Sequence, residues 1–120
     1  MTNKPGYHLF KNARYALEGL AQAIKNETSF KIEVVLFVTF SVLFWLLPIS
    51  LLSKTILQTS LFIPLIVELL NSGIEAVVDL CTKERHPLAK YAKDAGAAAV
   101  LLSLFLTLGI WFAVGIYEFF

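Results

Sequence analysis

The chain has 120 residues, of which 58% are hydrophobic and 16% charged, and a formal net charge of +1. So apolar a composition points to a bilayer rather than a soluble domain, the length leaves room for one domain, and the near-zero charge provides no global field for nucleic acid. Cys81 is the single cysteine, which excludes an intrachain disulfide.

The first thirty residues lack the continuous apolar run of a signal peptide, so the first spanning helix is expected to target the protein. Phe10, Ala13, Leu17, Leu20 and Ile24 recur at three-to-four spacing, while Lys11, Arg14, Glu18, Gln22 and Lys25 fall largely on the other side of the wheel. This pattern predicts an amphipathic helix over about 7–31, too charged to span and suited to lying on the membrane surface. Gly19 interrupts it at a modest propensity cost.

Three spanning helices follow. Residues 34–53, "VVLFVTFSVLFWLLPISLLS", carry no charge and match the roughly 20 residues that a hydrocarbon core about 30 Å thick requires. Pro48 ends the regular helix there, because it has no N–H and clashes with the preceding turn. The second span, over about 55–79, is uncharged to Val67 and then polar. The third, over about 95–117, is uncharged and starts with "GAAA", small residues that suit close helix packing.

Lys4, Lys11, Arg14, Lys25 and Lys31 precede or open the first span. Lys83, Arg85, Lys90 and Lys93 lie between the second and third, whereas only Lys54 lies between the first two. The positive-inside rule puts the N-terminus and the second connection in the cytoplasm, with the first connection and the C-terminus outside.

The second span contains "VELLNSGIEAVVD". At about 100° per residue, Glu68, Asn71, Glu75 and Asp79 fall on one narrow helical stripe, with Leu69, Leu70, Ile74, Val77 and Val78 covering the rest. Intramembrane carboxylates are costly and mark functional sites by default, although polar residues also join helices by hydrogen bonds. Glu27, Glu33, Glu84, His86, Lys93 and Asp94 lie towards the same side of the membrane. Glu27 and Glu75 can offer oxygens to magnesium if the surface helix folds over the second span, and Lys93 can meet a phosphate as a point charge. The segment "KERHPLAKYAKD" reads as a solvated loop, with no further role for Lys83 or Lys90. Phosphate-loop, dinucleotide-turn and soluble-kinase motifs are absent, and His8, His86 and one cysteine make no zinc site. The residues alone leave phosphate chemistry on a lipid and passage of a cation both open.

"ELLNSGIEAVVD", followed by "AKDAGAAAV" and preceded by "KNETSF", resembles the bacterial integral-membrane diacylglycerol kinase family over nearly the whole chain. The resemblance implies an all-α membrane protein, a homotrimeric bundle whose subunits each have an N-terminal surface helix and three transmembrane helices. It implies transfer of the ATP γ-phosphoryl group to diacylglycerol in the bacterial inner membrane, with the active site cytoplasmic and the C-terminus periplasmic. Glu68 takes the place of the general base and Asn71 that of its support. Glu27 and Glu75 take the places of the Mg2+ ligands, and Tyr15, Glu84, Arg85, His86, Lys93 and Asp94 those of nucleotide contacts. Substrate contacts fall to His8, Arg14, Glu68 and Ala97; the family usually has Arg where this chain has His8, and Arg14 is the candidate replacement. Undecaprenol as acceptor is the alternative within the family, and a non-enzymatic cation channel or structural subunit the alternative outside it. Asp79 is left without a role.

Overall fold

The structure, a computed structural model, describes residues 8–120; Lys4 and the expected first residue of the surface helix, Tyr7, lie outside the described residues. Among the described residues every regular element is a helix: α1 (Leu9–Asn26), α2 (Thr28–Leu46), α3 (Leu51–Ser60), α4 (Phe62–Cys81) and α5 (Pro87–Phe119).

One extended residue, Glu27 (φ −104°, ψ 110°), separates α1 from α2. Its N–H donates to the Ala23 carbonyl at 2.9 Å and its own carbonyl accepts from Lys31 N at 3.0 Å, so it closes one helix and opens the next. Phe30, 1% exposed, packs beneath this corner. The surface helix therefore stops five residues before the expected 31, and the first span starts at Thr28 rather than 34. Reading the span from its uncharged run missed Lys31 and Glu33, which sit in the first turns of α2.

At its other end α2 stops at Leu46, short of the expected 53. The residue before Pro48, Leu47, is forced out of the helical region (φ −71°, ψ 144°) by the proline ring. The chain turns, and Ser50 restarts it by accepting from Ser53 N through Oγ at 3.2 Å, an ordinary serine N-cap.

The second span runs from Leu51 to Cys81 as two helices broken at Leu61. Pro64 accounts for the break: it cannot donate to the Ser60 carbonyl and its ring crowds that group. Ser60 is buried at the kink, where its Oγ donates to the Leu57 carbonyl at 2.6 Å and accepts from Trp111 Nε1 at 2.8 Å.

The third span is the largest departure from expectation. The segment expected to be a solvated loop to residue 94 is helical from Pro87 onward, leaving a connection of 82–86. Pro87 sits at the first helical position, and His86 Nδ1 caps the helix by accepting from Leu88 N at 3.1 Å. The 33 residues of α5 measure about 50 Å at 1.5 Å each, so the helix outruns a hydrocarbon core of about 30 Å. Lys90, Lys93 and Asp94 are thus fixed on a helix face.

α4 and α5 pack along each other more extensively than any other pair. Of the "GAAA" stretch only Gly96 is buried in that contact; Ala97, Ala98 and Ala99 are exposed within the chain. A compact core of Phe44, Leu57 and Leu61, with Phe37, Phe40, Ile49 and Trp111 against it, fills the end away from the basic connection. Phe40 and Phe44 meet Trp111 at centroid distances of 4.8 and 5.1 Å. Elsewhere the large apolar side chains face outward, and the three long apolar helices are long enough to cross a membrane.

Candidate active site

The four polar residues of α4 form a gradient. Glu68 and Asn71 are 8% and 7% exposed, whereas Glu75 and Asp79 are half-buried. At 1.5 Å per residue, Glu68 lies about 10 Å deeper along the axis than Glu75. Asn71 faces Gly96 of α5: a Cβ on Gly96 would overlap Asn71 Oδ1 and come 3.2 Å from its Cγ, so any larger residue there would force the Asn71 amide or α5 to move. Asn71 Nδ2 donates to Glu75 Oε1 at 3.4 Å, a long contact one turn along the helix. The amide expected to support Glu68 is thus turned to Glu75. Asn71 Oδ1 and Glu33 Oε2 are the buried side-chain oxygens, among the described residues, that lack a hydrogen-bond partner.

The α1–α2 corner brings Glu27 to this stripe. Both α1 and α2, on either side of this corner, pack against α4. Among the described residues the ion pairs are Arg14–Glu18, Lys90–Asp94 and Lys93–Asp79, so none of Glu27, Glu68 and Glu75 has a cation against it. Such a concentration of negative charge fits a divalent cation, and magnesium favours carboxylate oxygens. No group of three or more His, Cys, Asp or Glu among the described residues is arranged to hold a metal alone, so the remaining ligands would be water or substrate oxygens.

Towards the basic end the stripe opens on a cleft of about 750 Å³ between the C-terminal end of α4, the 82–86 connection and the first turns of α5. Glu84, Arg85, His86, Lys93 and Asp94 all line it, as do Asp79 and Lys83. Lys93 Nζ donates to Asp79 Oδ1 at 2.7 Å, across the two helices. Lys90 Nζ donates to Asp94 Oδ2 at 2.5 Å, along one helix.

Other expected residues are not gathered in. His8, just before α1, and Arg14 and Tyr15 on it are exposed, with the Arg14 guanidinium 3.8 Å from Glu18 and 5.7 Å from the Tyr15 ring centroid. Ala97 is exposed on α5 and does not line the cleft. His86 serves a structural purpose that the sequence reading missed, as the α5 cap; the His-Pro pair was the available signal. Glu33, near the start of α2 on the expected side, also lines an apolar cavity of about 200 Å³ with Phe37, Phe40, Leu104 and Trp111.

The sequence model of the prokaryotic diacylglycerol kinase family matches residues 14–115. A diacylglycerol kinase of Escherichia coli is 37% identical over 110 residues, covering 91% of this chain and 90% of its own. Those of Haemophilus influenzae and Pseudomonas aeruginosa are 36% and 40% identical, covering 87% and 81% of this chain and 88% and 79% of theirs. The intramembrane carboxylate stripe and the basic cleft therefore lie within the part of the chain shared with these enzymes, and the chain belongs to the prokaryotic diacylglycerol kinase family.

Proposed function

We propose that this lipid kinase transfers the γ-phosphoryl group of ATP to the free hydroxyl of diacylglycerol, giving phosphatidic acid and ADP. One observation carries the reading: a line of carboxylates runs from a buried Glu68 to a half-exposed Asp79 and opens on a basic cleft. A lipid acceptor and a water-soluble donor need such a site, deep at one end and wet at the other. The names of the relatives favour diacylglycerol over undecaprenol as the acceptor.

Phosphoryl transfer asks for positioning and charge compensation rather than covalent help from the protein. Glu68, at the depth of a lipid headgroup, takes the proton of the attacking hydroxyl. The hydroxyl oxygen bonds to the γ-phosphorus as the bond from phosphorus to the bridging oxygen breaks and ADP departs. Glu27 and Glu75 would hold Mg2+, which would compensate the triphosphate charge. Lys93 adds a positive charge at the cleft, Asn71 orients Glu75 through its amide, and Glu84, Arg85, His86 and Asp94 enclose the nucleotide. Tyr15, Arg14, His8 and Ala97, which do not line this cleft, act at the site from a neighbouring subunit or at the lipid. This end faces the cytoplasm of an inner-membrane protein and the C-terminus the periplasm, a reading supported by the positive-inside rule.

A homotrimer accounts for α1 lying open in the single chain. Mixing inactive Glu68→Gln and Glu27→Ala subunits is then expected to restore part of the activity, whereas no recovery would confine each site to one subunit. Phosphorylation of a lipid panel in detergent micelles tests the reaction. Magnesium-dependent formation of phosphatidic acid is expected; preference for undecaprenol would move the substrate, and no ATP-dependent product with any lipid would favour a channel or structural subunit.

A further inference from the structure

The stripe on α4 ends at Asp79, the one member with no part in the proposed chemistry. The geometry points to Asp79 as a positioning residue that aims the Lys93 ammonium into the cleft; this inference rests on the kinase reading above. Asp79 Oδ1 and Lys93 Nζ are 2.7 Å apart, both side chains are half-exposed (46% and 45%), and both line the same 750 Å³ cleft. The pair joins two helices, α4 and α5, and so ties the lysine to a fixed point outside its own backbone. Lys90–Asp94, by contrast, is an i,i+4 pair on one helix and fixes neither residue relative to α4. Lys83 lines the same cleft, but among the described residues only Lys93 is within ion-pair distance of Asp79.

Three physical points favour aiming over bracing. An ion pair this open to water contributes little to stability. α4 and α5 are already joined through the short 82–86 connection and the Gly96–Asn71 contact, so a brace is redundant. A lysine stem carries large rotamer entropy, and its ammonium has three donors of which Asp79 takes one. The other two stay available to phosphate oxygens at a position already chosen.

Initial rates with ATP and with diacylglycerol varied, for the wild-type protein, Asp79→Asn and Asp79→Glu, test this. Nucleotide dissociation constants are measured for the same proteins and for Lys93→Met with and without Asp79→Asn. Asp79→Asn is expected to raise KM for ATP about fivefold, the upper range for an exposed pair, with KM for the lipid unchanged. Asp79→Glu, which keeps the carboxylate, recovers most of the loss. In the Lys93→Met background Asp79→Asn changes nucleotide affinity no further, because the interaction is already gone. Unchanged KM for ATP would overturn the inference, as would additive losses, or a lower KM, which would make Asp79 a competitor of the phosphate. A large fall in thermal stability for both Asp79 variants would make it a brace and overturn it as well. Absence of turnover in the wild-type protein would sink the kinase reading and this inference together, whereas an active wild-type protein with indifferent Asp79 variants would sink this inference alone.

Discussion

The two ends of the helix bundle treat polar side chains in opposite ways. At the end away from the basic connection, partners are supplied within the chain. Glu118 Oε1 accepts from Ser50 N, Ser50 Oγ and Ser53 Oγ, the last at 2.5 Å. Trp45 Nε1 donates to Gln58 at 3.0 Å, Gln58 donates to Ser41 at 3.0 Å, and Lys54 donates to the Trp45 carbonyl at 3.1 Å. At the basic end, where Asp79 and Asp94 are paired with Lys93 and Lys90, Glu27, Glu68 and Glu75 have no cation against them and a buried oxygen of Asn71 has no partner, among the described residues. Unsatisfied buried polar groups are costly, so a fold that could close such groups at one end and leaves them open at the other holds that second end ready for a ligand. The satisfied end maintains the fold; the unsatisfied end is where the proposed chemistry is placed.

Substitutions can break that contrast. The largest effect belongs to Glu68→Gln, which keeps the shape and removes the proposed base. Turnover is expected to fall by about a thousandfold, within the usual range for loss of a general base, with the thermal midpoint unchanged or raised. Steady-state rates beside a melting curve check it; a variant that keeps a tenth of the activity would remove Glu68 from the reaction.

Gly96→Ala comes next, because its Cβ would overlap the Asn71 amide and force either that side chain or α5 to move. A loss of about 1–3 kcal/mol of stability is expected, as for other overpacked contacts, together with a clear fall in activity from the displaced Asn71. Denaturation in mixed micelles and rate assays on the same preparation separate the two. Full activity in a destabilised variant would mean that Asn71 placement is immaterial to the reaction.

These two residues also mark how far the sequence could be read. The stripe was legible, because four polar residues at helical spacing in an apolar segment obey a local rule. The small-residue packing face was legible only as a stretch: the structure selects Gly96 and leaves Ala97, Ala98 and Ala99 exposed. Local rules with a proline in them were available at Pro48, Pro64 and Pro87, and they explain the end of α2, the break at Leu61 and the start of α5. The charge of residues 87–94 reads as a loop, but the His-Pro pair starts a helix there. Contacts between distant residues, such as Ser50 with Glu118 or Asp79 with Lys93, leave no trace in local periodicity.

Smaller effects are expected at the satisfied end. Trp111→Phe removes the donor to Ser60 at the α3–α4 kink but leaves the Ser60 hydroxyl its bond to Leu57. A loss of about 1 kcal/mol, one ordinary hydrogen bond, is expected in denaturant titration, with KM for ATP unchanged. Glu118→Gln keeps an acceptor for the two serines and is expected to shift the melting midpoint least of all. A large change in either kinetic constant for these variants would blur the contrast between the ends.

The most direct test compares Glu68→Gln with Glu118→Gln for magnesium- and ATP-dependent formation of phosphatidic acid at equal concentrations of folded protein. The account predicts near-complete loss for Glu68→Gln and near-wild-type turnover for Glu118→Gln. Equal activity in the two variants, high or low, would contradict it.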